Sequence, residues 1–421
     1  MTRPAAAGCP VEPDFDPLGP HYLADPYAVL AALPVAEAPV FYAPTIDYYV
    51  VTRYADIEEV YRDPLTYSAA VAQAPLAPLV AEAQQILLAG GHRPQPSMVS
   101  LDEPAHARLR KPAARAFSAK RVNDLVPTIR RVAAGLLDAV ADRPEIDVVD
   151  ALAFPLPATI VFALMGVPER DHPRLKRWCG YRAALSWGRP DPADQVDIAT
   201  NIAAYRAYLR DLVDAKAANR ADDLTSDLLA IHDENPDRLT HAEIASILFS
   251  LSFAGHETTT GLIGNTVRRL LEEPDRWDAV AAGSIELVAA AVEETLRFDP
   301  SVPVWRRVTT RPATLGGIAL PAGAKVFLWL AAANRDPAVF AEPDRFDPHR
   351  PNNDQHLAFG RGIHYCLGAN LGRLEARIAV EELARRFPRL RIVDGQPLTF
   401  HPNISFRGPQ RLLATTGVRA P

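Results

Sequence analysis

Apolar residues recur three and four positions apart along most of this chain and alternate in only a few short runs, a pattern that predicts a mainly helical protein. "DPYAVLAALP" predicts a short helix near the start. "APVFYAPTIDYYVVTRYADIEEVYRD" predicts two strands joined by a turn, then a helix. Residues 64–101 show no clean period and carry scattered proline and glycine, the composition of a long irregular region of the kind that is often functional. "DEPAHARLRKPAARAF" predicts a basic helix in which Pro112 should bend the axis or remove one backbone bond. Ser118 suits the N-cap of a helix running through the 130s.

Further along, residues 194–218 have the pattern of an amphipathic helix. "LTHAEIASILFSLSFAGHETTTGLIGNTVRRLLEEP" opens on a capping box, Thr240 with Glu243. It is apolar on nearly all sides, which predicts one long helix crossing the core. Another helix ends at "VEETLRFDP". The pieces "WRRVTT", "ATLGGIALPAG" and "AKVFLWLAA" read as strands. A last long helix, "LGANLGRLEARIAVEELARRF", starts at or just after Cys366. No internal repeat and no low-complexity linker divides the chain.

Composition narrows the function. The 421 residues suit one large domain or two ordinary ones, and 48% hydrophobic residues supply a full core. A net charge of −6 argues against a nucleic-acid binder. The first fifteen residues contain no apolar secretory core, and no run of eighteen apolar residues offers a membrane span. Cys9, Cys179 and Cys366 are odd in number and widely spaced, which is no disulfide framework and fits a reducing cytoplasm. Three cysteines cannot supply the four thiolates of an ordinary iron–sulfur cluster. "GRGIHY" lacks the final glycine of a dinucleotide loop, so no flavin or nicotinamide site of its own is expected. Cys9 and Cys179 have no partner pattern, and Trp178, Trp187 and Trp277 read as packing.

The candidate chemistry centres on "FGRGIHYCLG", Phe359 to Gly368. A cysteine at the start of a helix meets unpaired N–H groups and the positive end of the dipole, which favour the thiolate. Gly362 and Gly368 would let the backbone approach something large and flat. Axial ligation of heme iron is one chemistry that asks for a single thiolate. A buried structural cysteine is the alternative. A second constellation, Ala254-Gly255-His256-Glu257-Thr258-Thr259, places an acid and a hydroxyl inside the core helix. Either Thr258 bonds back to a carbonyl one turn earlier, or the pair delivers protons to the reacting oxygen through water.

Phe359, Gly362, His364, Cys366 and Gly368 match F-x-x-G-x-H-x-C-x-G, and the chain thereby resembles the cytochrome P450 family, in which A-G-x-E-T and E-x-x-R follow in the expected order. The resemblance implies the mainly α cytochrome P450 fold with a small β region, as one domain over residues 1–421. It implies heme b with Cys366 as axial thiolate, Phe359 packed beside it, and His364, His106, Arg110 and Arg307 on the propionates. Ala254 and Gly255 would lie over the heme, Gly255 loosening the helix to leave a groove for oxygen, with Glu257 and Thr258 catalytic. Glu294 and Arg297 would form a buried structural pair, with Arg345 as its loop partner. The pocket walls would be Leu87, Leu88, Met98, Val99, Phe249, Ser250, Phe253, Ala254, Val302, Val304 and Ile404, mostly apolar and with no charged residue that clearly belongs among them.

The implied reaction inserts one atom of O2 into a small hydrophobic or aromatic molecule. A peroxide-using enzyme and a non-catalytic heme gas sensor are the competing readings, and the intact Glu257-Thr258 pair counts against both. Electrons from NAD(P)H would come through a ferredoxin and its reductase, or through a fused flavin and iron–sulfur reductase. "CPVEPDFDPLGPHYLADPYAVLAALP" and "RDPAVFAEPDRFDPHRPN" resemble the self-sufficient subgroup, and the chain holds no reductase, ending at Pro421 where a linker would start. Arg108, Lys111, Arg115, Arg373 and Arg377 suggest a basic dock for an acidic iron–sulfur partner.

Overall fold

The computed structural model describes residues 6–89 and 97–418. Helices form most of it. The main sheet contains β1 (Val40–Ala43), β2 (Tyr48–Val51), β3 (Tyr67–Ser68), β4 (Val304–Thr309) and β5 (Lys325–Trp329), in the order β1-β2-β5-β4-β3. β2 and β5 run parallel with Tyr49 opposite Val326, while β4 lies antiparallel to β5 with Arg307 opposite Val326. Every residue of β1 and β2 is buried, which explains why these strands read as continuous apolar runs rather than alternating ones. A hairpin, Ala313–Leu315 with Ile318–Leu320, accounts for "ATLGGIALPAG". The "irregular" region contains β3 and a helix, Ala81–Ala89, and its residues 90–96 lie outside the described ones.

The helices that frame the site are α1 (Ala105–Ala114), α2 (Pro155–Leu164), α3 (His172–Trp187), α4 (Pro192–Ala218), α5 (His241–Ala254), α6 (Glu257–Leu271), α7 (Ile285–Phe298) and α8 (Ala369–Arg386). Two expectations about continuity are corrected. The helix capped by Ser118 ends at Asp124 and a second begins at Val126, with Pro127 in its first turn, where a missing N–H costs nothing. The core-crossing helix is likewise two, α5 and α6, parted at Gly255 and His256. The capping box at Thr240 and Glu243 is present. α1 runs straight through Pro112, which is buried near its end. Cys179, Trp187 and Trp277 are buried in the core. Among the described residues, no helix is long and apolar enough to cross a membrane.

The buried pair that ties α7 to the later loops is as the spacing suggested. Arg297 donates to both oxygens of Glu294, at 2.8 and 2.7 Å, and both residues are fully buried. Its third member is not Arg345, however. The Arg345 side chain points outward to Glu342, and only its carbonyl takes part, accepting from Arg297 at 3.1 Å. Arg350 is the buried partner, with its Nε 3.4 Å from Glu294 Oε1 and further bonds to the carbonyls of Ala341, Glu342 and Arg345. A buried carboxylate with two guanidiniums is stable only while every donor is used. Urea unfolding should therefore show Arg345→Ala within about 0.5 kcal/mol of the parent, and Arg350→Ala destabilised by roughly 2–4 kcal/mol. Equal losses would mean that the clamp does not depend on Arg350.

Candidate functional site

Close helix packing lies at the break between α5 and α6. A Cβ on Gly255 would sit 2.9 Å from Val161 Cγ2 of α2, so glycine is what lets α2 lie this close. The missing side chain of Gly255 therefore faces α2 packing rather than an oxygen groove. His256 follows at φ −106°, ψ −64°, fully buried, with neither ring nitrogen hydrogen-bonded. Burial pushes it down to about 3, so it stays neutral. Ala254 is exposed although residues 247–253 before it are all buried, so its side chain borders an internal space.

Glu257 and Thr258 open α6. The Thr258 hydroxyl donates to Ala254 O at 2.7 Å, the back-bond that the bland account of this residue foresaw. Burial pushes the Glu257 carboxyl up to about 7. Its side chain borders a cavity of about 230 Å³ shared with Asp150, Phe154, Thr260 and His401, whose outer members Asp150 and His401 are exposed, so water can reach the carboxyl. This cavity is assembled from three distant stretches of chain and has no local signature.

The cysteine loop lies close by, because α8, which follows it, runs against α6: a Cβ on Gly372 would meet Thr259 Oγ1 at 3.6 Å. Cys366 precedes α8 by three residues, and Gly368 is the N-cap. Burial pushes the Cys366 thiol up, opposed by a hydrogen bond from Gly368 and the nearby charges of Arg110 and Arg373. The helix-start argument for a ready thiolate is therefore outweighed by burial. A thiolate here calls for a bound cation. Two glycines of the loop have different surroundings. Gly362 has φ +68° and gives room to the Tyr61 carbonyl, which its Cβ would meet at 2.6 Å, while Gly368 faces open space.

Four sequence candidates converge on this loop. His106 and His364 face each other with ring centroids 4.2 Å apart, and neither Nε2 has a hydrogen-bond partner. His106 Nδ1 lies 3.0 Å from Glu103. Burial, with Arg307, His106 and Arg110 nearby, pushes His364 down to about 3. Arg110 donates to the Tyr365 carbonyl, and Arg307 to the Arg306 carbonyl at 2.8 Å. Neither arginine has an ion pair with a carboxylate among the described residues, and burial pushes both below the usual arginine range. Two poorly paired guanidiniums and the free Nε2 of His364 form a donor set for an anionic group with several oxygens, which His106 Nε2 joins as a donor only in the imidazolium form, since Nδ1–H is turned to Glu103. The residues present thus fit a propionate-bearing cofactor beside a thiolate. Phe359 lies under Arg373, 4.5 Å from its guanidinium.

The pocket candidates are unevenly placed. Met98, Phe249, Ser250, Phe253, Val304 and Ile404 are buried, and the Ser250 hydroxyl has no partner. Leu87, Val99 and Val302 are half-buried, and Leu88 is 58% exposed. Phe253 stacks on Trp187 at 5.4 Å. A charged residue not singled out in the sequence lies beside two members of this set: the Arg182 guanidinium is 4.4 Å from the Phe249 ring and 5.3 Å from Phe253. Its signal was the stripe Leu175–Cys179–Arg182–Leu185, an arginine at helical spacing among apolar residues, all four buried. The basic face is also smaller than expected. Arg108 pairs with Glu243 and Arg373 with Glu293, which leaves exposed Lys111 and Arg115 and half-buried Arg377 without an ion pair among the described residues.

Comparison with known proteins gives concordant findings. The family model for cytochrome P450 matches residues 202–408. The chain is 40% identical to the erythromycin C-12 hydroxylase of Saccharopolyspora erythraea over 346 residues, 81% of this chain and 82% of that protein. The crystal structure of full-length CYP116B46 from Tepidiphilus thermophilus superposes with a TM-score of 0.91 at 32% identity, covering 96% of this chain. This chain spans only 53% of that protein's length. An intact type IV self-sufficient cytochrome P450 monooxygenase superposes with a TM-score of 0.93 at 34% identity, covering 99% of this chain and 55% of the other.

The raised Glu257 carboxyl has a consequence for stability. The folded chain keeps this proton up to about pH 7, while an ordinary glutamate loses it near 4.5. Its contribution to stability is full below that lower value and is lost as pH rises through the upper one. Thermal melts across this window should show Glu257→Gln losing less stability than the parent and overtaking it above about pH 7. Parallel curves for the two proteins would mean that the carboxyl is solvated.

Proposed function

We propose that this chain, which belongs to the cytochrome P450 family, would hold heme b through the Cys366 thiolate and oxygenates a small hydrophobic or aromatic molecule, by hydroxylation or oxidative dealkylation. The chain is a cytochrome P450 monooxygenase, and its family binds heme b. The observation that carries the residue assignment is the convergence of Arg110, Arg307 and the free Nε2 atoms of His106 and His364 on the loop of Cys366. Residues 1–421 act as one heme domain.

Heme, when bound, supplies the redox chemistry of dioxygen activation. The residues of the chain hold and orient. Arg110 and Arg307 would neutralise the propionates, His364 would donate to them, and His106 would do so as the imidazolium paired with Glu103. Phe359 packs beside the Cys366 sulfur. Gly362 and Gly368 shape the loop, while Ala254 and Gly255 keep the facing helix low. Glu257 stays protonated up to about pH 7 at the edge of a water-accessible cavity, so it can release a proton inward and recover one from outside. The Thr258 hydroxyl is one residue away and can exchange its bond to Ala254 O for one to the reacting oxygen. The apolar walls are Leu87, Leu88, Met98, Val99, Phe249, Phe253, Val302, Val304 and Ile404, with the Ser250 hydroxyl as a polar point among them.

Electrons arrive from NAD(P)H through an iron–sulfur protein or through a reductase domain, as in the self-sufficient enzyme that this chain half spans. Lys111, Arg115 and Arg377 form the docking face, since Arg108 and Arg373 are already paired.

Three measurements test these assignments. The reduced, carbon-monoxide-bound protein should show the strongly red-shifted Soret band of a thiolate ligand, and Cys366→His should lose it. A globin-like spectrum in the parent would remove Cys366 from the iron. Thr258→Ala should consume NAD(P)H while forming less product and more hydrogen peroxide, with the proton-dependent step slowed about 10²-fold. Unchanged coupling would remove the hydroxyl from the proton path. Charge reversal at Lys111, Arg115 and Arg377 should slow stopped-flow reduction by the partner and weaken its salt dependence, while peroxide-driven turnover persists. If both proteins reduce at the same salt-independent rate, the partner docks elsewhere.

A further inference from the structure

Most deeply placed arginines of this chain have an acid beside them. Arg297 has Glu294, and Arg268 and Arg269 share Asp299. Arg306 has none but spreads over Tyr48 and the carbonyls of Ala72 and Ser186. Two arginines on neighbouring helices have neither arrangement. Arg182, on α3, is 5% exposed and makes one hydrogen bond, to Phe249 O at 2.8 Å. Arg206, on α4, is half-buried and lies 5.1 Å from the Phe249 ring, over which Arg182 also sits. Neither has an ion pair with a carboxylate among the described residues. Burial and the charge of Arg206 push Arg182 down to about 10, and burial with Arg210 lowers Arg206.

The energetics call for a missing partner. A guanidinium offers five N–H donors, and Arg182 uses one. A cation–π contact offsets part of the lost hydration but leaves the two like charges together with no carboxylate between them. A planar, bidentate anion fills that need. The surroundings set what the rest of the ligand must be. Phe249 lies beside both arginines and Phe253 beside Arg182, and the next residue, Ala254, is exposed although the seven residues before it are buried. Ser250, also on α5, keeps a buried hydroxyl without a partner.

We infer that Arg182, assisted by Arg206, is a carboxylate anchor in the roof of the substrate site, and that the substrate is a small aromatic or alkyl acid. Its charged end lies on Arg182 and its apolar body runs along Phe253 and Ala254. The inference rests on the monooxygenase reading above and narrows its substrate class from apolar molecules to apolar acids.

The test uses the heme-loaded protein, a series of para-alkylbenzoates of increasing chain length, and the matching neutral benzamides. Binding is read by calorimetry and by the optical spin-state shift. At least one benzoate should bind about tenfold or more tightly than its amide. Arg182→Gln should abolish that preference, Arg182→Lys should keep part of it, and Arg206→Gln should reduce it. Should Arg182→Gln fail to fold, the half-buried Arg206→Gln carries the comparison. Equal binding of acids and amides across the series overturns the anchor, as does a preference that survives in the Arg182→Gln/Arg206→Gln double variant. Amide binding with no benzoate binding also overturns it and leaves the apolar reading in place. The carbon-monoxide spectrum of the same samples reports separately on Cys366.

Discussion

A charge taken out of water must be given an opposite charge or a full set of hydrogen bonds, and the interior of this protein is organised by that requirement. Where the chain completes the set itself, the result is a clamp. Glu294, Arg297 and Arg350 satisfy one another and several loop carbonyls, and they tie α7 to the segment leading to the cysteine loop. Where the set is left incomplete, the deficit marks a place for something else. Arg110 and Arg307 beside His106 and His364 are short of negative charge, and the buried Cys366 thiol lacks the cation that would ionise it. A propionate-bearing iron cofactor answers both deficits together. Arg182 and Arg206 repeat the pattern beside Phe249 of α5.

The same helices show how local geometry prepares chemistry. Close packing of Val161 forbids a side chain at residue 255, and the backbone departs from helical geometry at His256. The break lets a new helix begin at Glu257, so an acid and a hydroxyl occupy a first turn rather than a helix interior. The acid stays protonated because it is buried, and water remains within reach because the adjoining cavity opens toward Asp150 and His401. Protonation and access usually oppose each other, since burial that raises a carboxyl also keeps water away. Here the two sides of one side chain divide the tasks.

Much was legible in the sequence because it is carried by neighbours in the chain. The Thr240–Glu243 capping box, the 3-residue spacing of Glu294 and Arg297, the 4-residue spacing of His106 and Arg110, and the loop around Cys366 all depend on short-range geometry. The five strands of the main sheet likewise followed from β-branched and aromatic runs, apart from the two-residue β3. Family membership is visible at this level, because a thiolate loop has few ways to be built.

What the sequence could not determine depends on residues far apart. Whether Arg345 or Arg350 turns inward depends on which carbonyls the folded loop presents, and the two lie only five positions apart in the same motif. The need for glycine at 255 depends on Val161, more than ninety residues earlier. The ionisation of Glu257 and Cys366 depends on burial by segments that are not their neighbours in the chain. Arg108 and Arg373 were counted as free charges until the fold brought Glu243 and Glu293 to them. Arg182 is one arginine among many along the chain and acquires meaning only when α4 and α5 place Arg206 and Phe249 beside it, with no carboxylate ion pair among the described residues. Spacing along a chain fixes which side chains share a turn; which charges are buried, and with what company, is decided by the packing of distant elements.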